Sequence, residues 1–172
     1  MAKLSFLSLF LIATVSIAYA QYDIYSYDDY GSSKKKVGTT SPNYNGGTNH
    51  YSIDNYGIQK KTGESQSNYY SGTDYYKIGD SGLRTKAATY QENYYGGTDR
   101  YNYDANGLKR KTATYEKNYY GGTDVYKIDT YGGKKKVGTY QKNYYDGLDY
   151  YKYNQYGIKE KAGTIQKKNN PY

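Results

Sequence analysis

Tyrosine and lysine are the residues here with chemistry to offer, and they recur at fixed intervals. Paired tyrosines stand at Tyr69–Tyr70, Tyr94–Tyr95, Tyr119–Tyr120 and Tyr144–Tyr145, three of the pairs in the frame Asn-Tyr-Tyr-x-Gly-Thr-Asp. Eight residues beyond each opening asparagine comes another tyrosine, giving Tyr51, Tyr76, Tyr101, Tyr126 and Tyr151, and a lysine follows ten residues later at Lys61, Lys86, Lys111, Lys136 and Lys161. A phenol offers a hydrogen-bond donor, a stacking face and a cation-binding face. Ring hydroxylation turns it into a catechol (DOPA) that chelates surface metal ions, and one-electron coupling joins two phenols as dityrosine. Lysine displaces cations from mineral surfaces and adds to an oxidised quinone. The paired tyrosines are therefore the candidate DOPA or cross-link sites, the single tyrosines a candidate repeat face, and the five lysines candidate surface-binding groups.

No enzyme constellation accompanies them. The only histidine, His50, has no cysteine near it, because the chain has none, and it is expected at the surface. No catalytic residue, no protein-borne metal site and no cofactor is expected; metal would enter only through catechols. Without thiols the chain cannot keep catechols reduced, which suits curing better than antioxidant duty.

Residues 1–20 read as a secretory signal peptide. Lys3 precedes the apolar run Leu4 to Val15, and Ala18-Tyr19-Ala20 is a small-x-small cleavage triplet. The apolar run is short for a bilayer span and no later one is longer, so no transmembrane segment is expected. Both phenylalanines and the single methionine fall within this leader, and Tyr19 is the one tyrosine of 30 lost with it. Removing Lys3 lowers the net charge from +8 to +7. A basic secreted chain is drawn to anionic partners: the expected ones are anionic or mineral surfaces, other matrix proteins and further copies of itself. Nucleic acid is not expected for a secreted chain.

Only 13 Ile, Leu and Val residues follow the leader, too few for a conventional aliphatic core. Either tyrosine supplies the packing, or the soluble chain is only partly ordered as a monomer and sets on assembly.

Five 25-residue units run from Asn43 to Lys167 without a gap; residues 21–42 form a partial N-terminal repeat and 168–172 a tail. Each unit reads as two strands and two turns. In the third unit the strands are 99–104 and 108–115, joined by Asp-Ala-Asn-Gly, in which aspartate bonds nearby amides and glycine takes a positive φ. The corresponding turn glycines are Gly57, Gly82, Gly107, Gly132 and Gly157. A three-residue loop at 105–107 sets Tyr101 directly across from Lys111. The expected fold class is all-β: tandem β-hairpins in a meander or solenoid.

Short, basic, Tyr/Lys/Gly-rich tandem repeats behind a signal peptide resemble the mussel foot (byssal) proteins over the whole mature chain. That resemblance implies a secreted adhesive or structural role with DOPA at turn tyrosines such as Tyr94, Tyr95, Tyr119 and Tyr120. With only Pro42 and Pro171 after the leader, a β-rich matrix or thread protein fits better than an extended coating. Locally, residues 99–112 resemble the YD (Rhs-type) repeat, which also forms serial β-hairpins. The alternatives are a shell or cuticle matrix protein binding chitin or mineral, and a β-solenoid module binding glycans or surfaces.

Overall fold

A computed structural model describes residues 21–28 and 32–168; the expected signal peptide and most of the tail lie outside the described residues. The fold is all-β. Six-residue strands, Tyr22–Tyr27 (β1), Thr48–Ile53 (β3), Thr73–Ile78 (β5), Thr98–Tyr103 (β7), Thr123–Ile128 (β9) and Leu148–Tyr153 (β11), alternate with nine-residue strands. The longer strands are Lys34–Pro42 (β2), Gln59–Ser67 (β4), Arg84–Glu92 (β6), Lys109–Lys117 (β8), Lys134–Lys142 (β10) and Lys159–Lys167 (β12). Each strand pairs antiparallel with its sequence neighbours, and β1 pairs with β12, so the sheet closes into a barrel. The open meander or solenoid is thereby corrected: the repeats run around an axis and leave no free edge. The partial N-terminal repeat supplies a full hairpin, β1–β2, which acts as the sixth unit.

Closure needs curvature, and each unit carries a device for it. In every short-to-long hairpin the register shifts by one residue, as between Arg100↔Ala113 and Tyr101↔Lys111. Thr112 is the unpaired extra residue there, and Val37, Thr62, Ala87, Val137 and Ala162 are its equivalents. Such bulges bend a strand and increase its twist.

The two turns of a unit are built alike. In the loop after β7, the Asp104 Oδ1 accepts hydrogen bonds from the amides of Asn106 and Leu108 at 2.9 Å each, and Gly107 N donates to the Asp104 carbonyl at 3.0 Å. Gly107 has φ +78°, a conformation glycine reaches at little cost. In the return turn, Asn93 Oδ1 accepts from the amides of Tyr95 and Gly97 at 3.1 and 3.0 Å. Here the positive φ falls on Gly96, and at the equivalent places on Ser71 and Asp146. The next residue is always glycine for a different reason: a Cβ on Gly97 would stand 2.4 Å from the Tyr115 carbonyl oxygen.

A barrel of this many strands is wider than one that ordinary aliphatic side chains fill. Tyrosine fills it. Tyr75, Tyr90, Tyr115, Tyr140 and Tyr150 are buried inside with Ile24, Val125 and Ile165. The Tyr140 and Tyr150 rings lie tilted at 37° to each other with centroids 4.8 Å apart, and the Tyr90 and Tyr115 rings lie 6.4 Å apart. Glycine makes room for the largest rings: a Cβ on Gly63 would meet the Tyr75 hydroxyl at 2.5 Å, and one on Gly138 the Tyr150 hydroxyl at the same distance.

The inward position at the middle of the short strands is Ile24, His50, Tyr75, Arg100, Val125 and Tyr150 in chain order. Six equal large side chains around one axis would collide, so the interior varies while the outer wall repeats. His50 is therefore not a surface residue. It has no solvent exposure, contacts the Tyr75 ring edge-on at 5.5 Å and lies 3.3 Å from Ser65 Oγ. Burial, reinforced by the Lys61 charge, lowers its pKa to about 4.

Candidate functional site

The topology gives the barrel two unlike ends. All the Asn-led return turns lie at one end, and the Asp-x-x-Gly turns at the other, with Gly79 and Asn154 in the aspartate's place in two units, because strands alternate in direction. The Asn-led end carries the eight paired candidate tyrosines. They project from the turn tips: Tyr94 is 96% and Tyr95 87% exposed, and the other pairs are exposed too, Tyr145 least at 67%. Within each pair the rings meet edge to face, with centroids 5.5 Å apart in Tyr69–Tyr70, Tyr94–Tyr95 and Tyr119–Tyr120 and 5.7 Å in Tyr144–Tyr145. Tyr44 adds a single exposed ring to the same rim. So much bare aromatic surface on one end of a small barrel is unusual for a chain that acts alone in water.

The outer wall uses the other candidates differently. Tyr101 pairs with Lys111 across the hairpin, and the same rung recurs at Tyr51↔Lys61, Tyr76↔Lys86, Tyr126↔Lys136 and Tyr151↔Lys161. Most of these tyrosines lie under a cation from the strand alongside: Arg84 over Tyr76 at 3.6 Å, Lys109 over Tyr101 at 4.2 Å, Lys134 over Tyr126 and Lys159 over Tyr151 at 4.0 Å.

The five candidate lysines are each tied to a carboxylate. Lys86 reaches Asp74 at 2.8 Å, Lys111 reaches Asp99 at 2.7 Å, Lys136 reaches Asp124 at 2.7 Å and Lys161 reaches Asp149 at 2.8 Å. Around Asp99 the set is complete: Lys111 binds one oxygen, while Asn93 Nδ2 donates at 3.1 Å and Thr114 Oγ1 at 2.5 Å to the other. Burial alone would raise the Asp99 pKa, but these hydrogen bonds outweigh it and hold the carboxyl below its ordinary value. Asp74, Asp124 and Asp149 are lowered for the same reasons.

In the first full unit the acid changes strand. Asn49 stands in the aspartate position and Glu64, its rung partner, in the threonine position. Glu64 pairs with Lys61 at 2.9 Å and with Arg84 at 2.7 Å. The negative charge is kept while its backbone of origin moves.

Sequence reasoning separates the paired rim tyrosines from the single wall tyrosines but misses a third class, the lumen tyrosines. The signal is positional. Rim rings follow the turn asparagine, wall rings sit on the rung with the fixed lysine, and lumen rings occupy the alternating positions between. Among the described residues no cluster of acids and histidine suited to a metal ion occurs, and no helix is long and apolar enough to cross a membrane. Compared with known proteins, the chain matches no family model and no curated protein.

Proposed function

We propose that the protein is a secreted, non-enzymatic building block of an adhesive or matrix material, joined to surfaces and neighbours through its rim tyrosines. The observation that supports this is the division of one residue type between two environments. Lumen tyrosines such as Tyr90 and Tyr115 are 2% and 1% exposed, out of reach of an oxidase, whereas the turn-tip pairs meet solvent on nearly every side. A phenol hydroxylase using dioxygen and a two-electron reductant would place one oxygen atom on a rim ring and release the other as water, leaving a catechol; a peroxidase would remove one electron and one proton from each of two rings, reducing hydrogen peroxide to water, and the two rings then couple through carbon.

The closed sheet has no edge to offer for strand addition, so cohesion between copies falls to side chains. Rim phenols and catechols supply it, and any hardening requires no unfolding. A shell or cuticle matrix is the second setting for the same chemistry, with phenolic coupling into chitin or mineral in place of an adhesive joint.

Mapping tyrosines by tandem mass spectrometry in the secreted material tests the reading. Added oxygen or ring coupling is expected at Tyr69, Tyr70, Tyr94, Tyr95, Tyr119, Tyr120, Tyr144 and Tyr145, and not at Tyr90, Tyr115 or Tyr140. Unmodified rim tyrosines in the deposited material would overturn it.

A further inference from the structure

The opposite end of the barrel holds cations that the wall network does not consume. On β7, Arg100 Nε donates to Asn102 Oδ1 at 2.9 Å, which fixes both side chains on the lumen face. By the two-residue alternation of strands, Lys77, Lys127 and Lys152 take the place of Asn102 on β5, β9 and β11. The rung partner of Asn102 is Arg110, and that of Lys127 is Lys135. These groups ring the mouth of the lumen at the Asp-x-x-Gly end. Lys77, Arg110, Lys127 and Lys135 are exposed.

Lys127 and Lys135 face each other directly, an arrangement that costs stability in a sheet. Among the described residues neither forms a salt bridge. Carboxylates do reach other cations of this end, Glu160 meeting Lys152 at 3.6 Å and Asp80 meeting Lys60 at 2.5 Å. Deeper in, the lumen is plugged: Arg100 lies 5.7 Å from the centroid of the buried Tyr90 ring. A ligand at this mouth therefore lies across it rather than threading it. Tyr131, on the turn between Lys127 and Lys135, is 97% exposed, and Tyr156, on the next turn at this end, is 78% exposed.

We propose that this mouth binds a linear acidic polysaccharide, its sulfate or carboxylate groups on Lys127, Lys135 and Arg110 and its sugar faces against Tyr131 and Tyr156. Single-stranded nucleic acid prefers aromatics stacked along a continuous groove. Here the two rings stand on neighbouring hairpins, roughly 10 Å apart at two strand spacings, with Ser81 and Asn106 in the equivalent places of the second and third units, and the expected secretory leader places the chain among extracellular polysaccharides. The site is separate from the tyrosine rim and stands whether or not that rim is oxidised.

The test uses a heparin-derived octasaccharide as probe and calorimetric titration at several salt concentrations. The pair Lys127→Gln/Lys135→Gln is compared with Lys117→Gln/Lys142→Gln, which removes equal charge at the tyrosine end. The mouth pair is expected to weaken binding by about tenfold and flatten its salt dependence, the control pair by less than about twofold. Lys127→Arg/Lys135→Arg is expected to keep affinity, and thermal melting to show the mouth pair folded and no less stable than the parent. Equal weakening by both glutamine pairs, or no binding of the octasaccharide, would overturn the proposal. Tighter binding of an oligothymidylate of equal charge would overturn the choice of ligand.

Discussion

Tyr25 on the first strand sits opposite Thr164 on the last, on the same rung that sets Tyr101 opposite Thr89 between consecutive units. The seam where the chain's two ends meet thus repeats the contact between any two neighbours. Lys161 lies 5.0 Å from the Tyr27 ring centroid there, as Lys86 lies 5.2 Å from that of Tyr103. Lys168 N donates to the Gln21 carbonyl at 2.8 Å and completes the join.

Deleting residues 21–42 removes β1 and β2 and bares the edges of β12 and β3. Exposed edges template association, so the truncated chain is expected to lose its monomeric state. Light scattering coupled to size exclusion checks this; a stable ten-stranded monomer would contradict closure as the source of stability.

The two residues of the return turn before the short strand should respond to different extents. Gly97→Ala puts a Cβ against the Tyr115 carbonyl and is expected to cost about 2–3 kcal/mol in urea denaturation. Gly96→Asn retains a residue that tolerates positive φ and is expected to cost less than about 1 kcal/mol. Equal losses at both positions would show the close approach to be unimportant.

Asn93 both accepts from the turn amides and donates to Asp99. Asn93→Asp keeps the first role, reverses the second and sets two carboxylates together, at an expected cost of about 1–2 kcal/mol at neutral pH. Two facing carboxylates raise the pKa at which the first proton binds, so the deficit relative to the parent should begin to shrink above about pH 4 and go on shrinking as the pH falls through that ordinary carboxyl value. A deficit unchanged by pH would mean that packing, not charge, dominates.

His50 gives the molecule an acid limit of its own. Its folded pKa of about 4 lies below the ordinary 6.5, so the unfolded chain binds the proton more readily. The stabilisation is complete above pH 6.5 and is lost as the pH falls from there to about 4, a span worth about 3 kcal/mol. Comparing urea denaturation at pH 7 and pH 5 checks this. His50→Gln should remove the change over that interval; an unchanged slope would assign it to other groups. The lowered aspartates act at lower pH, where their stabilisation, present above the ordinary carboxyl value, is lost through their folded pKa values.

Local chemistry was readable from the chain, and closure was not. Asp104 and Gly107 announce a three-residue loop, and that loop alone sets the rung of Tyr101 and Lys111. The bulge at Thr112 carries no such mark: its equivalents are valine, alanine and threonine, and only the pairing of both flanking strands reveals them. His50 reads as a surface residue because Thr48 and Ser52, the residues that share its face of the strand, are polar. Its position, matched to Tyr75 and Tyr150, is the clue that points inward. The lysines read correctly as rung partners of the tyrosines, but four of their carboxylate partners are aspartates two residues before those tyrosines and the fifth is Glu64, on the strand of Lys61 itself, and which charges face one another depends on the barrel's outside wall.

Closure also limits how this repeat can change over generations. An open array gains or loses a unit at its end with little effect on the rest. In a ring, a seventh hairpin would widen the circumference, and the buried tyrosines, already near the longest side chains able to fill a core, would no longer meet. Unit number and interior composition are bound together, so a gene duplication that lengthens the array must be matched by new residues at its centre before the product can fold.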